Sequence, residues 1–447
     1  MTAQPSPVTL TAATRFWFQL GWVSFGGPAG QIALLHRELV ERRRWLSEGR
    51  YLHALNYCML LPGPEAMQLA TYLGWLMHGV PGGLIAGGLF VIPSVFVLTA
   101  LASLYALWGQ LPLLASVFAV LKPAVLAIVL MAAWRIGRRT LHTPFLVALA
   151  IAGFLALAAF NSPYPLVVIG AGVVGLLAAR LRPSLLLAAR SQGGTAEKTE
   201  CDRTGALHDD HTDSPEHARF SRRRLALTLL IWALALHLPL AGLAAAGGWN
   251  SSLAIMARFF TRVALFSFGG AYAVLPYVAQ GAVDDFGWLS AAQMLDGLAL
   301  GEITPGPLII VVAFVGFMAG WNQAVNAGAG PWLPALAALL VTVWFTFVPS
   351  FGFILIGAPL VEASRADHRF GAPLSAITAV VVGVIASLAL FFAGPVLCPG
   401  GVFNPWALLV VGLALFVQLR LGWSVLQVIG AAATIGALLA GVAMLFS

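Results

Sequence analysis

The chain has 447 residues, of which 60% are hydrophobic and 9% charged, with a mean hydropathy of +0.90. An ordinary soluble domain carries about 25% charged residues, so this composition excludes a soluble protein and makes lipid the solvent. The net charge of +7 does not indicate a nucleic-acid partner, because the basic residues cluster between apolar segments, where Lys and Arg hold loops on the cytoplasmic side.

The Met1–Thr14 stretch lacks a secretory signal pattern, so the first apolar segment is expected to stay in the mature protein. Apolar segments then run Phe16–Leu35, Leu52–Met77, Leu84–Leu107, Leu113–Trp134, Phe145–Phe160 and Leu166–Ala179. A polar stretch, Arg180–Arg224, contains Gly193-Gly194, Cys201 and three histidines. Apolar segments resume at Leu225–Ala246, Leu253–Val278, Met294–Trp321, Trp332–Leu360, Leu374–Phe392, Trp406–Leu419 and Val425–Phe446. Lipid leaves no water for open backbone groups, and no alternating barrel pattern is present, so these segments are helices. The expected fold is an all-α polytopic membrane protein, divided into a repeat over 1–181, a linker over 182–224 and a second repeat over 225–447.

The division rests on an internal repeat. Ser24-Phe25-Gly26-Gly27 recurs as Ser267-Phe268-Gly269-Gly270, Trp45-Leu46-Ser47 as Trp288-Leu289-Ser290, and Pro62-Gly63-Pro64 as Pro305-Gly306-Pro307, all at one offset of 243 residues. Val91-Ile92-Pro93-Ser94 resembles Phe347-Val348-Pro349-Ser350 after an insertion near Asn322–Leu333. Two homologous halves are the common build of secondary transporters. The loop after the first SFGG segment carries Arg37, Arg42, Arg43, Arg44 and Arg50, whereas its counterpart carries Asp284 and Asp285 and no basic residue. The positive-inside rule therefore predicts halves of inverted topology, with Leu225–Ala246 as the additional span that inverts the second. Placing the other basic clusters, Arg135–Arg139, the linker, and Arg365 with Arg369, on the same side requires the SFGG and PGP segments to be re-entrant or broken. Two prolines per PGP remove two backbone donors and support the break. Nine full spans and four half-membrane segments result.

Broken helices suit an anion, because a helix start at membrane depth offers free N–H groups and a positive dipole end. The candidate substrate residues are Ser24, Gly26, Gly27, Pro62, Gly63, Pro64, Gln68, Ser267, Gly269, Gly270, Pro305, Gly306 and Pro307, with Asn56 a further polar neighbour. The same motifs would also serve helix packing. Lys122, inside Leu113–Trp134, either offsets the charge of a dianion or reaches to an interface. Glu65 and Glu302 flank the PGP motifs and are candidates for proton coupling or gating. Arg258 and Arg262, with Arg15, stand at the mouths of the SFGG segments as a funnel or as headgroup anchors.

Other chemistry is not indicated. The dispersed cysteines Cys58, Cys201 and Cys398 make neither a disulfide framework nor a zinc site. The tract His208-Asp209-Asp210-His211, with His217, reads as a solvated linker rather than a metal site. Neither a phosphate loop nor the catalytic patterns of intramembrane enzymes are present, so no cofactor, nucleotide or nucleic acid is expected.

Phe25-Gly26-Gly27-Pro28, Trp45-Leu46, the run Leu61 to Ala70 (LPGPEAMQLA) and Leu121-Lys122-Pro123-Ala124-Val125 resemble the chromate ion transporter family in its long two-domain form. Phe268-Gly269-Gly270 and Thr304-Pro305-Gly306-Pro307 extend the resemblance to the second half. The resemblance implies export of chromate across the bacterial inner membrane and chromate resistance, with sulfate or a related oxyanion as the alternative cargo of some members. Direction of transport, coupling ion and homo-oligomer formation are left open by the residues themselves.

Overall fold

A computed structural model of the chain describes residues 8–109, 111–181, 207, 215–218, 220–363 and 371–445. Cys201, the His208–His211 tract, and Arg365 with Arg369 lie outside the described residues. Among the described residues the fold is all-helical. The first half contains α1 (Leu10–Val23), α2 (Gly27–His36), α3 (Glu48–Leu60), α4 (Glu65–Trp108), α5 (Pro112–Thr140), α6 (Pro144–Ala158) and α7 (Tyr164–Leu181). The second contains α8 (Arg222–Gly247), α9 (Ser252–Leu265), α10 (Ala271–Gln280), α11 (Ala291–Glu302), α12 (Val311–Asn326), α13 (Trp332–Ala363), α14 (Gly371–Leu397), α15 (Pro405–Arg420) and α16 (Val425–Leu445). Eight helices among the described residues are long and apolar enough to cross a membrane.

Each motif-bearing segment is broken. Phe16–Leu35 becomes α1 and α2, and Leu253–Val278 becomes α9 and α10, with the glycine turns between. The PGP turns separate α3 from α4 and α11 from α12. At 1.5 Å per residue, the 14 residues of α1 or α9 span about 21 Å, short of a hydrocarbon core of about 30 Å. The helix after the second PGP differs from the half-membrane expectation, because Leu308–Asn326 is 19 residues long and sufficient to cross. The long α4 contains its own break at His78 and Gly79 (φ 67°).

The repeat is visible in local geometry as well as in residues. A π-helical turn follows α2 at Arg37–Arg42 and α10 at Gly281–Asp285. Trp45 N–H then donates to Leu39 O (2.8 Å) and Trp288 N–H to Ala282 O (2.7 Å). The serine of each WLS motif caps the next helix: Ser47 accepts from Arg50 N–H and Ser290 from Gln293 N–H. WLS is thus a turn-and-cap device that aims the helix leading to PGP.

The halves interlock. α14 packs on α5, α6 and α7, and α4 packs on α13. Close approach at α6–α14 depends on glycine: a methyl on Gly153 would meet Val380, and one on Gly383 would strike the Ala150 carbonyl. The helices after the PGP motifs are the innermost. Ala66 to Leu76 is buried without a gap, as is Val311 to Gly320, the mark of a helix enclosed by protein on every side. α8, the span without a counterpart, is peripheral, with 6% of its apolar window buried. His217 departs from the expectation of a solvated linker. Its Nε2 lies 2.9 Å from Trp75 O and its ring stands edge-on to Trp75, against the break in α4.

Candidate anion site at the crossing of the broken segments

The four turns meet across the halves. Gly306 N–H donates to Ser24 O (2.7 Å), and Gly63 N–H donates to Ser267 O (2.9 Å). Each PGP motif of one half therefore seats on the SFGG motif of the other. Reciprocal contacts between like segments are what a two-fold relation between the halves produces. Gly306 has φ 97°, a conformation open to glycine and strained for other residues, and a methyl there would overlap Ser94 Oγ and press on Phe90 O. Gly63 is the mirror case, where a methyl would meet Ser350 Oγ and the Gln68 amide.

Each crossing holds three buried side-chain oxygens that make no hydrogen bond within the described chain. At the first they are Ser24 Oγ, Ser94 Oγ and Gln31 Oε1, and at the second Ser267 Oγ, Ser350 Oγ and Gln68 Oε1. A buried polar group without a partner costs about 1–3 kcal/mol, so six of them, with the four serines paired by the repeat, call for a role. The amide nitrogens are committed: Gln31 Nε2 donates to Ser24 O and Gly306 O, and Gln68 Nε2 to Pro62 O. That leaves the serine hydroxyls as free donors.

The helix starts add to this. α2, α4 and α10 follow Gly26, Pro64 and Gly270 without a side-chain cap, so no side chain occupies the positive ends of these helices. Gly27 has φ 68° and nothing within 4 Å of where a Cβ would stand. Glycine is required there by the backbone, and the space in front of it is open.

Acidic groups gather at one crossing. Glu65 opens α4, and its Oε1 lies 3.9 Å from the Cβ position of Gly270. Glu302 closes α11 and accepts a hydrogen bond from Tyr272 in the first turn of α10.

Lys122 has an internal partner. Its Nζ lies 3.4 Å from Asp296 Oδ2, which also accepts from the Tyr105 hydroxyl at 2.8 Å. Lys122 is on α5 and Asp296 on α11, so the ion pair ties the halves together, and the counter-charge expected from a substrate is already supplied by the chain. Arg258 donates to Trp249 O (2.6 Å) and lies over the Trp249 ring. Arg15, Arg262 and Asn56 are on exposed faces. None of these four is brought to the crossings.

Ser94, Ser350, Gln31, Asp296, Tyr105 and Tyr272 were not among the sequence candidates. Ser94 and Ser350 had a signal, since they end the PS pair that recurs in both halves. Asp296 was visible as an acid inside an apolar segment.

A duplicated core of broken helices, with polar groups facing a crossing inside an otherwise apolar bundle, defines a membrane transporter of the repeat-built class. Comparison with known proteins supplies the family. The profile of the chromate transporter family matches residues 11–176 and 254–437, and the chain belongs to that family. The chain is similar to a chromate transport protein of Pseudomonas aeruginosa (32% identity over 399 residues, 88% of this chain and 83% of that one). It is also similar to a probable chromate transport protein of Synechococcus elongatus (29% over 381 residues, 85% and 83%). An uncharacterized transporter of Bacillus subtilis, YwrA, matches over 121 residues at 31% identity, 68% of its own length but 27% of this chain, so it corresponds to a single half. No solved structure matches the chain.

Proposed function

We propose that this chain is a secondary transporter that exports chromate across the bacterial inner membrane. The observation that carries the reading is the paired crossing of SFGG and PGP turns, with buried hydroxyls free to donate. Hydroxyl and backbone N–H donors at helix starts replace the hydration of a tetrahedral oxyanion. Chromate as the cargo is supported by family membership and by the names of the relatives above. The halves lie in inverted orientation, a reading supported by the reciprocal contacts, by the basic content of the first WLS loop and by the extra peripheral span α8.

Export is favoured by the charge of the cargo. A dianion leaving a negative interior gains about 4.6 kcal/mol at roughly 100 mV, from about 2.3 per charge, enough for a gradient of about three powers of ten. The test is radiolabelled chromate and sulfate flux in proteoliposomes under an imposed potential. Chromate should move away from the negative side, faster as the potential grows. Absence of chromate flux would refute the reading, and accumulation of sulfate against the potential would establish an uptake permease instead.

A further inference from the structure

The two crossings match in backbone and in serines but not in charge. Glu65 stands beside the Gly270 turn, and Glu302 accepts from the hydroxyl of Tyr272, two residues past that turn. The positions that correspond to them by the 243-residue offset are Leu308 and Met59. The Gly26–Gly27 turn, seated on Gly306, therefore has apolar residues where the other turn has two carboxylates. A carboxylate repels a dianion and competes with it for the same helix start. Among the described contacts no carboxylate meets the Ser24 or Ser94 hydroxyl at the first crossing, and the space before Gly27 is open.

We infer that the crossings divide the work: the one at Gly26–Gly27, Gly306 and Ser94 receives the oxyanion, and the one at Gly270 carries protons on Glu65 and Glu302. This rests on the oxyanion-transport reading above. Both glutamates are half-buried. The groups near them are the Tyr272 hydroxyl on α10, which binds Glu302, and Cys58 on α3, near Glu65, while Arg135 of α5 lies near Tyr272. α14, packed on α10, presents Val381 to the turn. In each cycle a carboxylate takes a proton on the outer side and releases it on the inner side, while the oxyanion moves outward. No bond other than O–H forms or breaks.

The experiment uses purified full-length protein in proteoliposomes with trapped pyranine and radiolabelled chromate. It reads the half-saturating chromate concentration and the protons moved per chromate. Ser94→Ala should raise the half-saturating concentration about tenfold, the loss of one hydrogen bond to a charged group, and leave the proton ratio unchanged. Glu302→Gln should bring the ratio to zero, and Glu302→Asp should restore part of it. Glu65→Gln carries the same expectation and serves if Glu302→Gln fails to fold. The partition is overturned if Ser350→Ala raises the half-saturating concentration as much as Ser94→Ala, or if the wild type moves chromate without protons. Wild-type protein that moves no oxyanion under a potential removes the transport reading and this one together. Wild-type flux with equivalent serines removes the partition alone.

Discussion

Replacing Lys122 by Gln tests whether the α5–α11 ion pair braces the two halves. The substitution leaves the Asp296 carboxylate, 4% exposed, with the Tyr105 hydroxyl as its single donor, because Asp296 Oδ1 accepts no hydrogen bond from the described chain. Removing one partner of a buried pair costs about 3–5 kcal/mol. The Lys122 side chain is 29% exposed, which places the loss near the lower end, about 3 kcal/mol. Asp296→Asn should cost less, since a lysine stem can carry its ammonium toward water. The double variant Lys122→Gln/Asp296→Asn removes both charges and should recover about 2 kcal/mol of the loss, a coupling typical of residues in contact. The assay is survival of monodisperse protein after heating in detergent, read by size-exclusion chromatography for the wild type, both single variants and the double. Additive losses, with the double variant no more stable than Lys122→Gln, would refute the brace. Flux on the same proteins separates the roles: a double variant that regains stability but needs far more chromate for half-saturation would place Lys122 in contact with the anion.

Gly27→Val should abolish flux while leaving insertion intact, because the branched side chain fills open space at a backbone position of φ 68°, and normal transport would remove this turn from the site. Gly306→Ala should weaken folding by about 1–3 kcal/mol, since it forces a strained φ and drives a methyl into Ser94 Oγ and Phe90 O; unchanged thermal survival would contradict the crossing geometry. A cysteine placed near Arg43 should be labelled from the cytoplasm alone and one near Asp285 from outside alone, and labelling of both from one face would exclude inverted halves. His217→Ala should lower protection of the α4 break in hydrogen exchange, because Trp75 O loses its contact with the ring, and unchanged exchange at Met77 to Val80 would show that the contact has no weight.

By itself, the sequence determined the solvent, the element type and the duplication. Composition alone assigns the chain to lipid, and lipid admits few ways to satisfy a backbone. The SFGG, WLS and PGP repeats could be read because turns and caps are local: a glycine of positive φ, a capping serine and a helix-breaking proline each act within a few residues of themselves. Tertiary structure decided which turn meets which. Nothing local links Gly306 to Ser24 or Gly63 to Ser267, since those contacts depend on how two halves nest. The same holds for Lys122, whose charge was evident in the sequence while its partner Asp296 lies on another helix of the other half. Ser94 and Ser350 became candidates once their hydroxyls were seen to be buried at the crossings. A serine in a membrane helix can turn to its own backbone or across to a neighbour, and only the packing of that helix against the opposite turn shows which atoms are left free to meet a ligand.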